Sequence, residues 1–328
     1  MKILFIGGTG NISSACSRLA IKKGFDLYLL NRGHKKIELE GSESLIADIN
    51  NPDSTRKALS GLQFDCVVNF IAFSPEDILR DYEIFKQNTK QYIFISSASA
   101  YQKPPSSPFI TESTPLYNPY WQYSRDKIAC EDALTELYRK NNFPITIVRP
   151  SLTYETVIPA AIGSWEDFTV IDRIERGKRI IVHGDGTSLW TITHASDFAV
   201  GLVGLIGHQQ AIGHPFHITS DEVLTWNQIY DAMGEAVGKE VHKIHIPSDF
   251  IGEHSEHKKG SLLGDKSHSA IFDNSKIKQF VPEFNAVTPF KTGIKKAIEW
   301  FKADPSRMLI KEENNALLDK IINAYERK

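Results

Sequence analysis

Apolar and polar positions fall in short alternating blocks along the first half of the chain. Ile3–Gly7 is a compact apolar run ending in glycine, as in a strand buried on both faces of a parallel sheet. From Ile12 to Lys23 the positions Ile12, Cys16, Leu19 and Ala20 share one helix face, and Gly24 supplies the stop. Leu27–Leu30 repeats the strand pattern, and Ser44–Ala47, ending at Asp48, gives a third strand. A short helix over Asp53–Leu59 precedes a fourth strand, Asp65–Phe70, and Tyr92–Ser96 is a fifth. A loop rich in Pro and Ser spans Gln102–Pro119. A helix then runs from Tyr123 to Lys140, and Ile145–Val148 is a sixth strand stopped by Arg149-Pro150. Strands separated by helices of this length build βαβ units, whose right-handed crossovers make a parallel sheet.

Beyond Pro150 the pattern loosens. Phe168–Arg176, Ser196–Ile206 and Thr225–Val237 read as helices, the last capped by Thr225. Gly184-Asp185-Gly186 is a turn and Pro215–Thr219 a further strand. Gly252–Ser269 is polar and rich in Gly, Lys and His, which predicts a mobile loop. In the tail, Leu317, Ile321 and Tyr325 stand four apart and predict an amphipathic helix packed on the body. The chain thus divides into an α/β unit over 1–155, to which 190–220 returns, and a smaller α+β lobe over 156–328 that holds the C-terminal helices.

Composition narrows the class. The 328 residues are 41% hydrophobic, which suits one large unit plus a lobe with a full core. A net charge of -2 gives no basic excess for nucleic acid or anionic membrane, so neither is an expected partner. No run approaches the roughly 18 apolar residues of a membrane span. The N-terminal apolar run is shorter than a signal-peptide core, and a cytoplasmic setting is expected. The three cysteines, Cys16, Cys66 and Cys130, are odd in number and lie inside predicted elements, as reduced buried thiols do. His254, His257 and His268 share one polar stretch and read as solvated rather than metal-binding.

Gly7-Gly8-Thr9-Gly10-Asn11-Ile12-Ser13 lies between a strand and a helix. Glycines there let the backbone approach a pyrophosphate, and the helix start offers N–H groups and positive dipole. Gly7, Thr9, Gly10, Asn11 and Ile12 are therefore candidate dinucleotide contacts on a Rossmann doubly wound sheet. The third small position holds Ser13, compact enough for close packing. At the end of strand two stands Asn31-Arg32-Gly33, with no carboxylate for the adenosine ribose. A guanidinium pairs readily with a 2′-phosphate, so NADP is preferred over NAD, unless Arg32 points to solvent. Asp48 could accept from the adenine amino group or cap the next turn.

Tyr123 and Lys127 stand four apart and share a helix face. A neighbouring ammonium favours the phenolate and brings a phenol of ordinary pKa near 10 towards neutrality. Such a tyrosine can exchange a proton with a hydroxyl or carbonyl oxygen while hydride moves at the nicotinamide. A strand ending Ser96-Ser97 precedes it in the same predicted sheet.

These residues resemble the short-chain dehydrogenase/reductase superfamily, in its extended branch with the NAD-dependent epimerase/dehydratases. Gly7, Gly10 and Ser13 follow its glycine loop with one departure, and Asp48-Ile49 its adenine contact. Phe70 and Ala72 at the end of strand four, and Pro150, fall at its cofactor positions. Ile95–Tyr101 follows its serine strand, and Glu131, Arg149-Pro150, Gly184–Gly186, His194 and Asp197 follow later landmarks. The resemblance implies Ser97 on the substrate oxygen, Tyr123 as acid/base, and Lys127 on the cofactor ribose, tuning Tyr123. Ser99, Trp190 and His194 become candidate substrate contacts, with a structural place before the Ser196 helix as the alternative for His194. It also implies a homodimer and a small-molecule substrate, by default a sugar or nucleotide sugar. Trp190 stands where nucleotide-sugar enzymes often carry a diphosphate-binding arginine, and an indole cannot neutralise a diphosphate. Asn31–Gly33 and His217–Glu222 further resemble a subgroup with plant chloroplast stem-loop RNA-binding proteins and bacterial oxidoreductases. The expected function is an NAD(P)-dependent oxidoreductase, epimerase or dehydratase; the alternative is a non-catalytic scaffold binding RNA or protein.

Overall fold

The apolar runs of the first half become neighbouring strands of one sheet. The computed structural model describes residues 1–33 and 39–327. Strands β1 (Lys2–Ile6), β2 (Asp26–Asn31), β3 (Ser42–Ile46), β4 (Cys66–Asn69) and β5 (Tyr92–Ile95) are joined by Ile145–Pro150 and Pro215–Ile218. All seven are parallel, in the order Pro215–Ile218, Ile145–Pro150, β5, β4, β1, β2, β3. The class is the expected Rossmann α/β arrangement. Growth reverses at β1, where Ile3 pairs with Leu27 on one side and Cys66 on the other. In such sheets the crevice beyond the strand ends at that reversal is where ligands bind.

Successive residues of β1 feed opposite faces, because side chains alternate along a strand. Ile3 and Phe5 join a cluster with Cys16, Ala20, Phe198 and Leu202, and Leu4 and Ile6 join Ile78, Phe85, Phe94 and Leu134 across the sheet. The first face is covered by helix α1 (Asn11–Lys22) and the helix Ala195–Leu205, which pack together. The short helix α2 (Pro52–Ala58) follows β3. The second face is covered by α3 (Pro75–Phe85) and α4 (Gln122–Asn141). A third cluster, around Trp226, Tyr230, Phe250, Ile294 and Ile321, fills the C-terminal lobe. Parallel pairing of Ile180–His183 with Lys243–Ile246 gives that lobe its strands. Ile277, Val281 and Phe284 return to the first face of the sheet.

The longest helices that the sequence pattern did not predict are two, α3 and Phe290–Lys302. α3 begins with Ser74 accepting from the Asp77 N–H, with Pro75 in the first turn, and places Ile78, Ile84 and Phe85 inside. Phe290–Lys302 buries Phe290, Ile294, Ala297, Ile298 and Phe301 on one face.

The expected mobile loop over Gly252–Ser269 is instead helical. Ser248–His254, Glu256–Ser261 and a π-helical turn, Leu262–Lys266, follow one another. The polar composition hid the buried anchor Leu262, and two more, Phe250 and Ile251, stand just before the segment. Gly260 lets this segment lie against Trp121, since a Cβ there would stand 2.7 Å from the indole. His254 and His268 bond to the Phe250 and Leu263 carbonyls, so these two are not solvated. Among the described residues no cluster could hold a metal ion.

Other expectations are met. Thr225 caps its helix by accepting from the Gln228 N–H. The tail helix spans Glu312–Glu326, its buried stripe centred on Leu318, Ile321 and Ile322. The three cysteines are free and buried. No helix among the described residues is long and apolar enough to cross a membrane.

The strand ends are tied by a buried ion pair. Arg149 Nη2 lies 2.5 Å from Glu131 Oε2, and Ser96 Oγ donates to Glu131 Oε1 at 2.5 Å. Removing one partner strands a buried charge. Arg149→Met should therefore cost about 3–5 kcal/mol, measured by urea unfolding. The double variant Arg149→Met with Glu131→Leu should recover most of that loss. A single variant as stable as the parent would show that the pair carries no such burden.

Candidate active site

A cavity of about 530 Å³ opens at the strand ends, with the glycine loop at one side and the C-terminal lobe at the other. Gly7 adopts φ +81°, and a Cβ there would stand 2.6 Å from Ile71 Cγ2. Only glycine turns the chain so tightly at this point. Gly10 has open space on its cavity side; its nearest neighbour would be Ser13 Oγ at 3.4 Å. No side chain caps α1, so its first N–H groups face the loop without a side-chain acceptor. This cradle fits a dinucleotide pyrophosphate: uncapped donors, a helix dipole and no side chain in the way.

Ser13, the departure from a third glycine, is built into the loop. Its hydroxyl donates to the Gly7 carbonyl at 2.7 Å and accepts from the Gly10 N–H at 2.8 Å. Asn11 ties the loop to the far wall: its amide nitrogen donates to the Thr153 carbonyl at 2.9 Å, and its oxygen accepts from the Glu155 N–H at 3.0 Å. Gly7, Gly10, Asn11, Ile12, Phe70 and Pro150 line the cavity. Thr9 sits beside them in the loop, partly buried.

At the end of β2, Asn31 accepts from the Gly33 N–H. Arg32 is exposed and makes no ion pair among the described residues. Asp48 accepts from the Asn50 N–H at 3.0 Å, the turn-capping geometry, and Ile49 is buried beside it.

The serine strand and α4 meet over the cavity. Ser97, Ser99 and Tyr123 all line it. Ser97 Oγ lies 2.9 Å from Ser99 Oγ, and Ser124 Oγ donates to Ser99 Oγ at 2.8 Å. A hydrogen bond from Ser97 favours the Tyr123 phenolate, yet burial outweighs it and pushes the phenol up to about 12. Lys127 lies behind the wall. Its ammonium donates to the Ala72 carbonyl at 2.7 Å and the Ile95 carbonyl at 2.9 Å, and sits 5.9 Å from the Tyr123 ring centroid. Burial pushes this lysine down to about 8. The expected lowering of the phenol by its neighbour is therefore absent: the ammonium's protons point at carbonyls, and burial acts on both groups against their charged forms.

A family model described as the NAD dependent epimerase/dehydratase family matches residues 3–219. The chain belongs to that family. Its function is of the NAD-dependent oxidoreductase or epimerase kind that the family carries. The 2′-dehydrokanamycin reductase of Streptomyces kanamyceticus is 21% identical over 286 residues, covering 87% of this chain and 80% of that protein. The chloroplast stem-loop binding protein of 41 kDa b from Arabidopsis thaliana is 25% identical, covering 87% and 76%. Among solved structures, an epimerase from Methanothermobacter thermautotrophicus superposes with a TM-score of 0.77 at 17% identity, covering 94% of each chain.

Set on this family frame, two of the proposed substrate contacts separate. Trp190 is buried in the cavity wall, and its indole N–H has no hydrogen-bond partner among the described residues. His194 is not in that wall. It caps the helix Ala195–Leu205, its Nδ1 lying 2.7 Å from Ser196 Oγ, and packs edge-on against Tyr154. Three arginines of one helix-to-strand segment are engaged in ion pairs: Arg173 with Asp319, Arg176 with Asp172, and Arg179 with Glu326. Sequence reading missed Ser124, which holds Ser99, and the lysines Lys103, Lys258 and Lys266, which line the cavity from two remote segments.

Lys127 should leave a mark on stability. Its folded pKa, about 8, is below the ordinary 10.5, so between these values the unfolded chain binds more protons. Stability should rise with pH through that window, the burial cost being fully present below it. Lys127→Met should lack this rise. Urea midpoints compared between roughly pH 7.5 and pH 10 test it. Parallel curves for the two proteins would mean that Lys127 titrates normally.

Proposed function

We propose that the chain is an enzyme of short-chain dehydrogenase/reductase type, interconverting a hydroxyl and a carbonyl carbon of a small molecule. What carries this reading is one cavity wall shared by the glycine loop, Ser97 and Tyr123. The bound nicotinamide supplies or takes up the hydride. Gly7, Gly10 and the first turn of α1 would hold the pyrophosphate, and Lys127, with one N–H donor left over, the adjoining ribose.

Tyr123 gives its phenolic proton to the substrate oxygen in the reducing direction and takes one back in the oxidising direction. Ser97 donates a second hydrogen bond to that oxygen. Ser99 and Ser124 fix the Ser97 rotamer through their chain of hydroxyls. With its pKa pushed up to about 12, Tyr123 holds its proton at neutral pH, which suits the donor role. A cytoplasmic setting and a homodimer belong to the same reading, the first in keeping with three free thiols.

Arg32 makes NADP the preferred cofactor, since no acid competes for its guanidinium among the described residues. RNA binding is the alternative that the stem-loop binding relative raises. The net charge of -2 and the cavity over Ser97 favour catalysis. Steeply salt-dependent RNA affinity, unchanged in Tyr123→Phe, would reverse that preference.

Tyr123→Phe should lower turnover by at least about 100-fold, with NADPH affinity nearly unchanged in a fluorescence titration. Undiminished turnover would remove Tyr123 from the chemistry. Arg32→Ala should weaken NADPH by roughly 10-fold or more and leave NADH as it was, since bonds between charged groups are among the strongest. Equal loss for both cofactors would assign Arg32 to the shared adenosine.

A further inference from the structure

The cavity's outer half, away from the glycine loop, is made of aromatic rings and lysines. Lys103 is 1% exposed, and among the described residues no hydrogen bond or ion pair holds its ammonium, which feels only the more distant charge of Asp265. Lys258 spends one donor on the Gly163 carbonyl at 2.6 Å, leaving two. The Lys266 ammonium lies 5.5 Å from the Trp121 centroid and 5.8 Å from the Trp165 centroid. All three lysines line the cavity, against two acids in the same wall, Asp265 and Glu166. Asp265 meets Lys266 at a long 3.4 Å. Asp167, also near Lys258, is engaged with Asn314 and Thr169 instead.

A buried ammonium without a partner is costly. Burial pushes both Lys103 and Lys258 down, so each would gain from an anion brought to it. The Trp190 N–H, also buried and unpartnered, adds a neutral donor to the same wall. Lys266 and its neighbours are delivered by a π-helical turn, a geometry that recurs at functional sites.

We propose that this outer half is an oxyanion subsite, and that the substrate carries a carboxylate or phosphate on a compact ring. The proposal rests on Ser97 and Tyr123 as the reacting end. The Trp121 ring, which flanks Lys266, lies 4.9 Å from the Tyr123 ring. The lysines and the reacting hydroxyl therefore share one aromatic wall, with Trp121 between Lys266 and Tyr123. Trp121 and Trp165 offer flat apolar faces to the substrate ring. An amino sugar would meet like charge here. A nucleotide diphosphate would meet Trp190 where a guanidinium would serve it.

The test is binding, independent of turnover. The full-length protein with NADP is titrated with benzoate, phenyl phosphate, benzamide, benzylammonium and UDP, following tryptophan fluorescence. Benzoate or phenyl phosphate should bind at least about 10-fold tighter than benzamide, and benzylammonium weakest. The tighter of the two anions identifies the headgroup. Lys103→Met should abolish the gap between anion and amide while leaving NADPH affinity unchanged. Should that variant fail to fold, the parent's own gap and its loss in Lys258→Met carry the test. Equal binding of benzoate and benzamide, a gap that survives both substitutions, or UDP binding tighter than either anion overturns the proposal. Anion preference without turnover would leave the subsite standing and remove the catalytic reading instead.

Discussion

One ammonium joins the carboxyl ends of β4 and β5. Lys127 reaches from α4 through the wall behind Tyr123 to the carbonyls of Ala72 and Ile95, which lie beyond the last β4–β5 ladder pair, Asn69 with Phe94. Because α4 carries Lys127, Tyr123 and Ser124, that bond fixes the helix relative to the serine strand. The Phe73 and Phe94 rings stand 4.4 Å and 4.8 Å from the ammonium, so aromatic faces supply part of what water would. The lysine is displaced from its ordinary pKa for this placement, and the alignment of Ser97 with Tyr123 follows from it.

A second buried polar chain joins the sheet to the lobe. Glu131 holds Ser96 and Arg149. The Arg149 guanidinium lies over the Tyr101 ring at 4.8 Å, the Tyr101 hydroxyl meets His217 Nδ1 at 3.0 Å, and His217 Nε2 meets the Asp273 carbonyl at 2.7 Å. These residues come from β5's loop, α4, two sheet strands and the segment before Ser275–Phe280. Each group is satisfied by the next, which is what makes a buried network specify one arrangement. Both walls of the cavity are therefore referred to the same strand ends.

The Rossmann half was legible because its signals are local. A strand ending in Gly7 and a helix starting near Asn11 announce themselves within a dozen residues. Asp48 caps the turn that the sequence already marks, and Asn51 after it caps α2. α3 is equally local, with Ser74, Pro75 and Asp77 as a start signal, but its few buried apolar positions, Ile78, Ile84 and Phe85, make a thin stripe. The segment from Gly252 to Ser269 failed for a different reason. Its few apolar anchors are diluted by Lys, His and Gly, and Gly260 has meaning only once Trp121 is known to lie against it. The cavity lysines were illegible in principle, since Lys103 meets Lys258 and Lys266 only through the tertiary fold.

Tyr123 and Lys127 show most clearly where spacing stops being chemistry. Four residues of separation on one helix put Tyr123 and Lys127 on the same face, but not with the same partners. Burial disfavours phenolate and ammonium alike, so it raises one pKa and lowers the other. A lysine committed to two carbonyls is foremost a clamp on the strand ends. The stabilisation of the phenolate comes instead from Ser97, whose hydroxyl is steadied by Ser99 and Ser124. Acidity at Tyr123 is thus set first by burial and only moderated by the Ser97 hydroxyl, while the cation behind it holds the geometry. The motif that reads as a charge pair in sequence places its two groups apart here, the phenol on the cavity and the ammonium on the strand-end carbonyls.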